Sequence, residues 1–146
     1  MAPAFAAARL TPTDAELGAA GEAIAARALR RRGLRLVGRR LRTPEAELDL
    51  VFLDGRELVA VEVKSARRAG PRFRPADRVS PEAARRLERA ARWLARRAGL
   101  ERARIDVVEV VAAPGTRPKL RWHRDFAAAR RAGREGRPAR ELPYQG

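Results

Sequence analysis

The sequence predicts an α/β protein in which a mixed central β-sheet is flanked by α-helices. Three observations predict it. Two long stretches carry apolar residues at helical spacing between recognisable end signals. Five shorter stretches read as strands, several with period-two alternation. The elements come in the order α-β-β-β-α-β-β-α, and helices interleaved with strands in this way cover one or both faces of a sheet.

The first helix is expected over about 14–32. Thr13 and Glu16 have the spacing of a capping box, and Leu17, Ala20, Ile24, Ala28 and Leu29 form its apolar face. Gly33 suits its C-terminal end. A strand follows over about 34–42, and Thr43-Pro44 breaks it.

Residues 47–64 read as a hairpin. Leu48, Leu50 and Phe52 alternate with Glu47, Asp49 and Val51. Asp54-Gly55 is a strong turn signal. Beyond it Val59, Val61 and Val63 alternate with Leu58, Ala60, Glu62 and Lys64. A two- or four-residue loop keeps one parity. Leu48, Leu50, Phe52, Val59, Val61 and Val63 are then expected on one face. Glu47, Asp49, Glu62 and Lys64 are expected on the other, at the end away from the turn.

An arginine-rich loop with Gly70, Pro71 and Pro75 occupies 65–79. Ser80-Pro81-Glu82 opens a second long helix, with the cap at Ser80 and proline at the first helical position. It is expected to run to about Ala98 and stop at Gly99. Its apolar stripe is Ala83, Leu87, Ala91, Leu94 and Ala98, with Arg85, Arg89, Arg92 and Arg96 opposite. A strand over about 104–112, a short strand over 119–122 and a short helix over 125–131 complete the folded part. The domain is thus 13–131, between a flexible arm at 1–12 and a disordered basic tail at 132–146 that is rich in Arg, Gly and Pro.

Composition narrows the function. The 146 residues contain no cysteine, which excludes disulfide scaffolds and cysteine-based metal or thiol chemistry. The single histidine, His123, excludes multi-histidine metal sites and is read as having no catalytic part. No apolar run approaches the ~18 residues of a membrane span, and residues 1–10 lack the pattern of a secretory leader. A cytoplasmic protein is expected. The formal charge of +15 points to a polyanionic partner, nucleic acid first, although arginine-rich composition drift would raise it too. The charge is segregated. Residues 64–104 hold 14 basic and four acidic residues, whereas nine of the 18 acids lie between Asp14 and Glu62. Arginine outnumbers lysine by 31 to 2, so Lys64 and Lys119 mark positions where a compact ammonium was retained.

Carboxylates crowded onto one strand-pair face repel one another unless a cation neutralises them. Asp and Glu oxygens are the ligands that Mg²⁺ or Mn²⁺ prefers. A lysine beside such a site holds an attacking water or stabilises charge on a phosphate. Asp49, then Glu62-Val63-Lys64 on the next strand, is therefore a sensible constellation for phosphodiester hydrolysis. A hairpin with one wet face, Lys64 pairing with Glu47 or Glu62, would show the same alternation. Arg67, Arg68, Arg72, Arg74 and Arg78 follow the lysine directly and are expected to grip phosphates. Phe73 suits either base stacking or loop anchoring. Trp93 and Trp122 are read as packing residues. Asp106 is left open between structure and site.

The chain resembles the YraN-type family, a bacterial group assigned to the restriction-endonuclease-like, PD-(D/E)XK superfamily. The match begins at Gly21-Glu22-Ala23-Ile24-Ala25 and continues through Arg42 and Glu47-Leu48-Asp49-Leu50-Val51. It is strongest at Leu58-Val59-Ala60-Val61-Glu62-Val63-Lys64. It extends through Val79, the helix to Leu94 and Arg104-Ile105-Asp106-Val107-Val108, and closes at Asp125-Phe126-Ala127. The resemblance implies a nuclease-like core similar to that of Holliday-junction resolvases. It implies Asp49 and Glu62 as metal-binding acids, with the Val63 carbonyl completing the shell. It further implies Lys64 as the residue that orients water, Glu22 as a helix-borne acid approaching the metal, and Glu47 as an outer ligand. Departures from the family pattern are Ala46 for a usual Gly, Arg40 for a usual Asn, Ser65-Ala66 for a usual Thr-Arg, and Ala83 for a usual Lys.

The expected function is therefore a Mg²⁺- or Mn²⁺-dependent endonuclease acting on DNA, branched or structured DNA included. The alternative is a non-catalytic nucleic-acid-binding or adaptor protein that keeps the fold. No membrane partner is expected, and a homodimer is left open.

Overall fold

The computed structural model describes residues 13–132 and 139–144. The N-terminal arm and most of the linker after the last helix lie outside the described residues.

Helix α1 (Asp14–Arg31) starts where the Thr13 hydroxyl accepts the Glu16 N–H at 3.2 Å. Acids fill its first turn and arginines its last, each complementing the helix dipole. Gly33, at φ +92°, turns the chain into β1 (Arg35–Arg42). The buried face of α1 is Leu17, Gly21, Ala25, Ala26 and Leu29, while Ala20 is exposed and Ile24 and Ala28 are half-buried. The helix is thus rotated from the expected stripe. A Cβ added at Gly21 would lie 1.9 Å from Ser65 Oγ. The helix therefore rests on its smallest residue, and its bulkier side chains flank the contact.

Strands β2 (Glu47–Asp54) and β3 (Glu57–Ala66) form the expected hairpin. Asp54 pairs with Glu57, leaving Gly55-Arg56 as a two-residue loop with Gly55 at φ +59°. Helix α2 (Pro81–Arg97) begins at Ser80, whose hydroxyl accepts the Ala83 N–H at 3.0 Å. It buries Ala84, Leu87, Ala90, Ala91 and Ala95 and exposes Arg85, Arg89, Arg92 and Arg96. Strands β4 (Arg102–Val111) and β5 (Lys119–His123), helix α3 (Phe126–Arg131) and strand β6 (Arg140–Leu142) follow. Strand β6 lies in the stretch read from sequence as a disordered tail. Pairing with β5 orders it, and Leu142 is buried against the α1-side core.

The six strands lie in sequence order, β1-β2-β3-β4-β5-β6. All neighbours are antiparallel except β3 and β4, which are parallel from Glu57↔Arg102 to Ala66↔Val111. A parallel pair needs a crossover, and α2 supplies it. Two apolar clusters result. On one face Val51, Leu58, Ala60, Ile105 and Val107 pack with Leu87, Ala90 and Ala91 of α2 and Phe126 of α3. On the other Leu50, Phe52, Val59, Val61, Val108 and Val110 pack with Ala25, Ala26 and Leu29 of α1. The central strands are buried on both faces, so they read as near-continuous apolar runs. Leu48 departs from the expected face. It packs with the α2-side cluster, because regular pairing of β2 with β3 extends only to Leu50↔Val61 and the alternation is not carried past that point.

Asp106 belongs to structure. It is fully buried and accepts bonds from Arg104 Nε (3.0 Å) and Nη2 (3.2 Å), Trp122 Nε1 (3.0 Å) and the Asp125 N–H (2.8 Å). Arg104 Nη1 also reaches Asp54 at 3.0 Å and Glu57 at 2.7 Å. One buried network thus ties the hairpin turn to β4, β5 and the start of α3. Among the described residues no helix is long and apolar enough to cross a membrane.

Candidate active site

The end of the β2–β3 pair away from the turn is where charge gathers. Beyond Leu50↔Val61 the ladder gives way, and Asp49 Oδ2 accepts the Val63 N–H at 2.9 Å. Glu62 is largely buried, with a side chain 17% exposed, and Lys64 Nζ lies 3.1 Å from Glu62 Oε1. Burial pushes the Glu62 carboxyl up to about 7, and the neighbouring Asp49 adds to this against the opposing pull of Lys64. Asp49, Glu62 and Lys64 are thus brought together. Glu47, Glu62 and Lys64 line a cavity of about 270 Å³ that is also lined by Arg78 of the preceding loop and by Arg86 and Leu87 of α2.

The donor chemistry of this site fits a hard divalent cation. Two carboxylates that repel one another meet beside the Val63 backbone. Mg²⁺ is commonly held by one or two carboxylates, with waters and substrate phosphates completing its shell. Among the described residues no group of three or more His, Asp or Glu is arranged to hold a metal.

Glu22 stands apart from that pair. It is half-buried on α1 and accepts Arg40 Nε at 3.3 Å. Arg40 falls between the pairs Arg39↔Leu50 and Leu41↔Leu48, which sets it opposite Asp49 across β1 and β2. Glu22 is therefore linked to the site's edge through Arg40. Arg40 has φ +45°, a left-handed conformation that Asn tolerates better than Arg. Glu47 is exposed and pairs with Arg42 at 3.6 Å.

The loop after β3 is spread over the adjoining surface. Arg67 Nη1 contacts Asp14 Oδ1 at 2.7 Å. Arg68 and Arg72 are exposed, and Arg74 is half-buried. Gly70 and Phe73 exchange backbone hydrogen bonds at 3.0 and 3.1 Å. The Phe73 side chain is 44% exposed, so the backbone, not the ring, closes this turn. Arg78 Nη2 donates to the Ser65 carbonyl at 2.7 Å.

Three features escaped the sequence. Arg86, exposed on α2, lines the acid cavity; its signal was an arginine next to Leu87, a residue of the apolar stripe. Glu109 is fully buried, and a charge in the middle of an apolar strand was the clue. Its Oε1 accepts the Ala76 N–H at 3.2 Å and meets His123 Nε2 at 3.0 Å. Burial would raise the Glu109 carboxyl, but His123, the Ala76 N–H and Arg74 outweigh it and hold the group below its ordinary value. His123, expected to have no part, is thus the partner of a buried acid.

Comparison with known proteins places these features in context. The model of a family described as "Uncharacterised protein family UPF0102" matches residues 21–110, a span that includes Glu22, Asp49, Glu62 and Lys64. The chain is similar to a UPF0102 protein of Anaeromyxobacter dehalogenans (strain 2CP-C), 46% identical over 101 residues, or 68% of this chain and 75% of the relative. A UPF0102 protein of Renibacterium salmoninarum is 42% identical over 110 residues, covering 74% of this chain and 92% of its own. One from Parvibaculum lavamentivorans is 44% identical over 117 residues, covering 77% and 80%.

Proposed function

The chain belongs to the UPF0102 family, and we propose that it is a metal-dependent endonuclease of the restriction-endonuclease-like, PD-(D/E)XK kind that hydrolyses DNA, branched or structured DNA first. The observation that carries this reading is the meeting of Asp49 with Glu62 where β2 and β3 part, with Lys64 on Glu62.

In this reading Asp49, Glu62 and the Val63 carbonyl hold Mg²⁺ or Mn²⁺. When bound, the cation offsets charge on the phosphate and lowers the cost of deprotonating water. The chain's own residues do the rest. Asp49 keeps the two strands at their parting distance through the Val63 N–H. Lys64 presents an ammonium that orients a water or steadies negative charge as the water oxygen bonds phosphorus and the ester oxygen leaves. Glu62, paired with Lys64 through Oε1, supplies its carboxylate to the cation, and the proton of the attacking water passes to solvent. Arg67, Arg68, Arg72 and Arg74 hold the flanking phosphates, and Arg78 and Arg86 border the cavity that receives the scissile one.

The test is calorimetry with Mn²⁺ and Mg²⁺ on wild type and on Asp49→Asn with Glu62→Gln, with a four-way DNA junction present, followed by a cleavage screen. Metal uptake and cleavage that both vanish in the double variant support the proposal. A second reading, a nucleic-acid-binding protein without catalysis, draws on the Lys64–Glu62 ion pair, which satisfies the acid without a cation. Unchanged DNA affinity with no metal uptake in wild type favours it.

A further inference from the structure

Lys119 is one of only two lysines among 33 basic side chains, and the site above leaves it unused. It opens β5 and lines a second cleft, of about 560 Å³, between the loop after β3 and the β4–β5 hairpin. Six cations line this cleft. Arg67, Arg68 and Arg74 come from the loop side, and Arg117, Lys119 and Arg121 from the hairpin side. Its two acids are Glu109 and Glu141, so the lining carries a net charge of +4. Glu109 Oε1 is engaged by Ala76 and His123, while its Oε2 is buried without a hydrogen-bond partner.

Two further observations say that the lining is not self-satisfied. Among the described residues Arg68, Arg117, Lys119 and Arg121 form no salt bridge. Arg121 stands in register with Glu109 on one side and Glu141 on the other, yet its Nε is buried with no hydrogen-bond partner. Like charges gathered in a concavity, with a buried donor unanswered, favour an anion that approaches from outside. Guanidinium forks match phosphate oxygens in particular.

We propose that this cleft binds the sugar-phosphate backbone of a nucleic acid, holding the strand beyond the candidate cleavage point. The proposal rests on the nucleic-acid-directed reading of the acid site, but not on catalysis there. The chain leads directly from one cavity to the other, Lys64 lining the first and Arg67 the second. Three extended residues span about 10 Å. That separation is about three nucleotides along one strand. The acid site and the cleft are therefore joined by a short run of the chain. The second lysine of the chain stands on the cleft's far wall.

The experiment measures binding alone. In an Asp49→Asn background, with chelator present, the affinity for a fluorescent four-way DNA junction is followed across salt. Arg117→Gln with Lys119→Gln and Arg121→Gln is expected to weaken binding about tenfold or more and to lower the salt slope by about 2 to 3. Arg85→Gln with Arg92→Gln and Arg96→Gln, on the outer face of α2, removes the same charge and is expected to change affinity by less than about twofold. The single exposed substitution Lys119→Gln guards against misfolding and should lower the slope by about 1. The proposal is overturned if the hairpin variant binds as the background protein does. It is equally overturned if the two triple variants lose affinity alike, or if the protein binds acidic polypeptide and no nucleic acid. Failure of the catalytic reading would show instead as absent cleavage by wild type with this binding pattern intact.

Discussion

Asp49 Oδ2 accepts the backbone N–H of Val63 at 2.9 Å, across the point where β2 and β3 stop pairing. The same carboxylate is thus a strut and a candidate ligand, and two substitutions separate the roles. Asp49→Ala leaves the Val63 N–H without its acceptor and should cost about 1–2 kcal/mol. Asp49→Asn keeps an acceptor oxygen and should retain most of the stability while losing metal-dependent cleavage. Urea denaturation of both variants checks the strut; equal destabilisation of the two would refute it.

Glu62 gives stability a pH dependence. Its carboxyl moves from the ordinary 4.5 to about 7, chiefly through burial and then through Asp49. Between those values the folded chain holds a proton that the unfolded chain releases. Stability of the metal-free protein is therefore full below about 4.5 and falls as pH rises through 7, by up to about 3 kcal/mol. Glu62→Gln removes the slope. The variant should match wild type at pH 4 and exceed it at pH 8. Mn²⁺ added at pH 8 should raise the melting temperature of wild type only. Parallel pH curves for the two proteins would show that Glu62 does not titrate in this range.

Gly21 is the contact point of α1 on the sheet. A Cβ there meets Ser65 Oγ at 1.9 Å and Ser65 Cβ at 3.2 Å. Gly21→Ala should destabilise by about 1–3 kcal/mol through overpacking. Ser65→Ala in the same chain removes the nearer clash and should restore part of the loss. A double-mutant cycle by thermal melting measures that coupling; simple additivity would mean that the helix shifts freely.

Arg104 neutralises a fully buried acid. Its removal as Arg104→Met leaves the buried Asp106 without its cationic partner, with only Trp122 Nε1 and the Asp125 N–H as donors, and should cost about 3–5 kcal/mol. Arg104→Lys should not rescue it, since one ammonium cannot span Asp106, Asp54 and Glu57 together. Chemical denaturation should show both losses, and full stability of the lysine variant would argue that charge alone is needed.

The parts of the fold that could be read in the sequence are those fixed by local chemistry. Thr13, Ser80-Pro81 and Asp54-Gly55 each set a boundary through a hydrogen bond or a dihedral preference, and each element begins or turns there. What was missed depends on partners distant in sequence. The rotation of α1 follows from Gly21 meeting Ser65, and the face of Leu48 from the early end of the β2–β3 ladder. Strand β6 is too short to show a period, and only Leu142 hints at burial. At the site, alternation correctly grouped Asp49, Glu62 and Lys64. Arg78 belongs to the loop whose arginines were expected to meet phosphates, whereas Arg86 comes from α2, and no spacing within the hairpin points to it.

The two margins of the sheet bear on how the chain behaves in a crowded solution. At one margin, β1 carries Arg35, Arg39, Arg40 and Arg42, and its register slips between Leu36 and Gly38, so the backbone there is both charged and irregular. At the other, β6 offers three residues, two of them exposed and charged. Neither margin is a good template for a foreign strand. The arginines of β1 thus act as gatekeepers against fibril-like growth, a task separate from any attraction to phosphate.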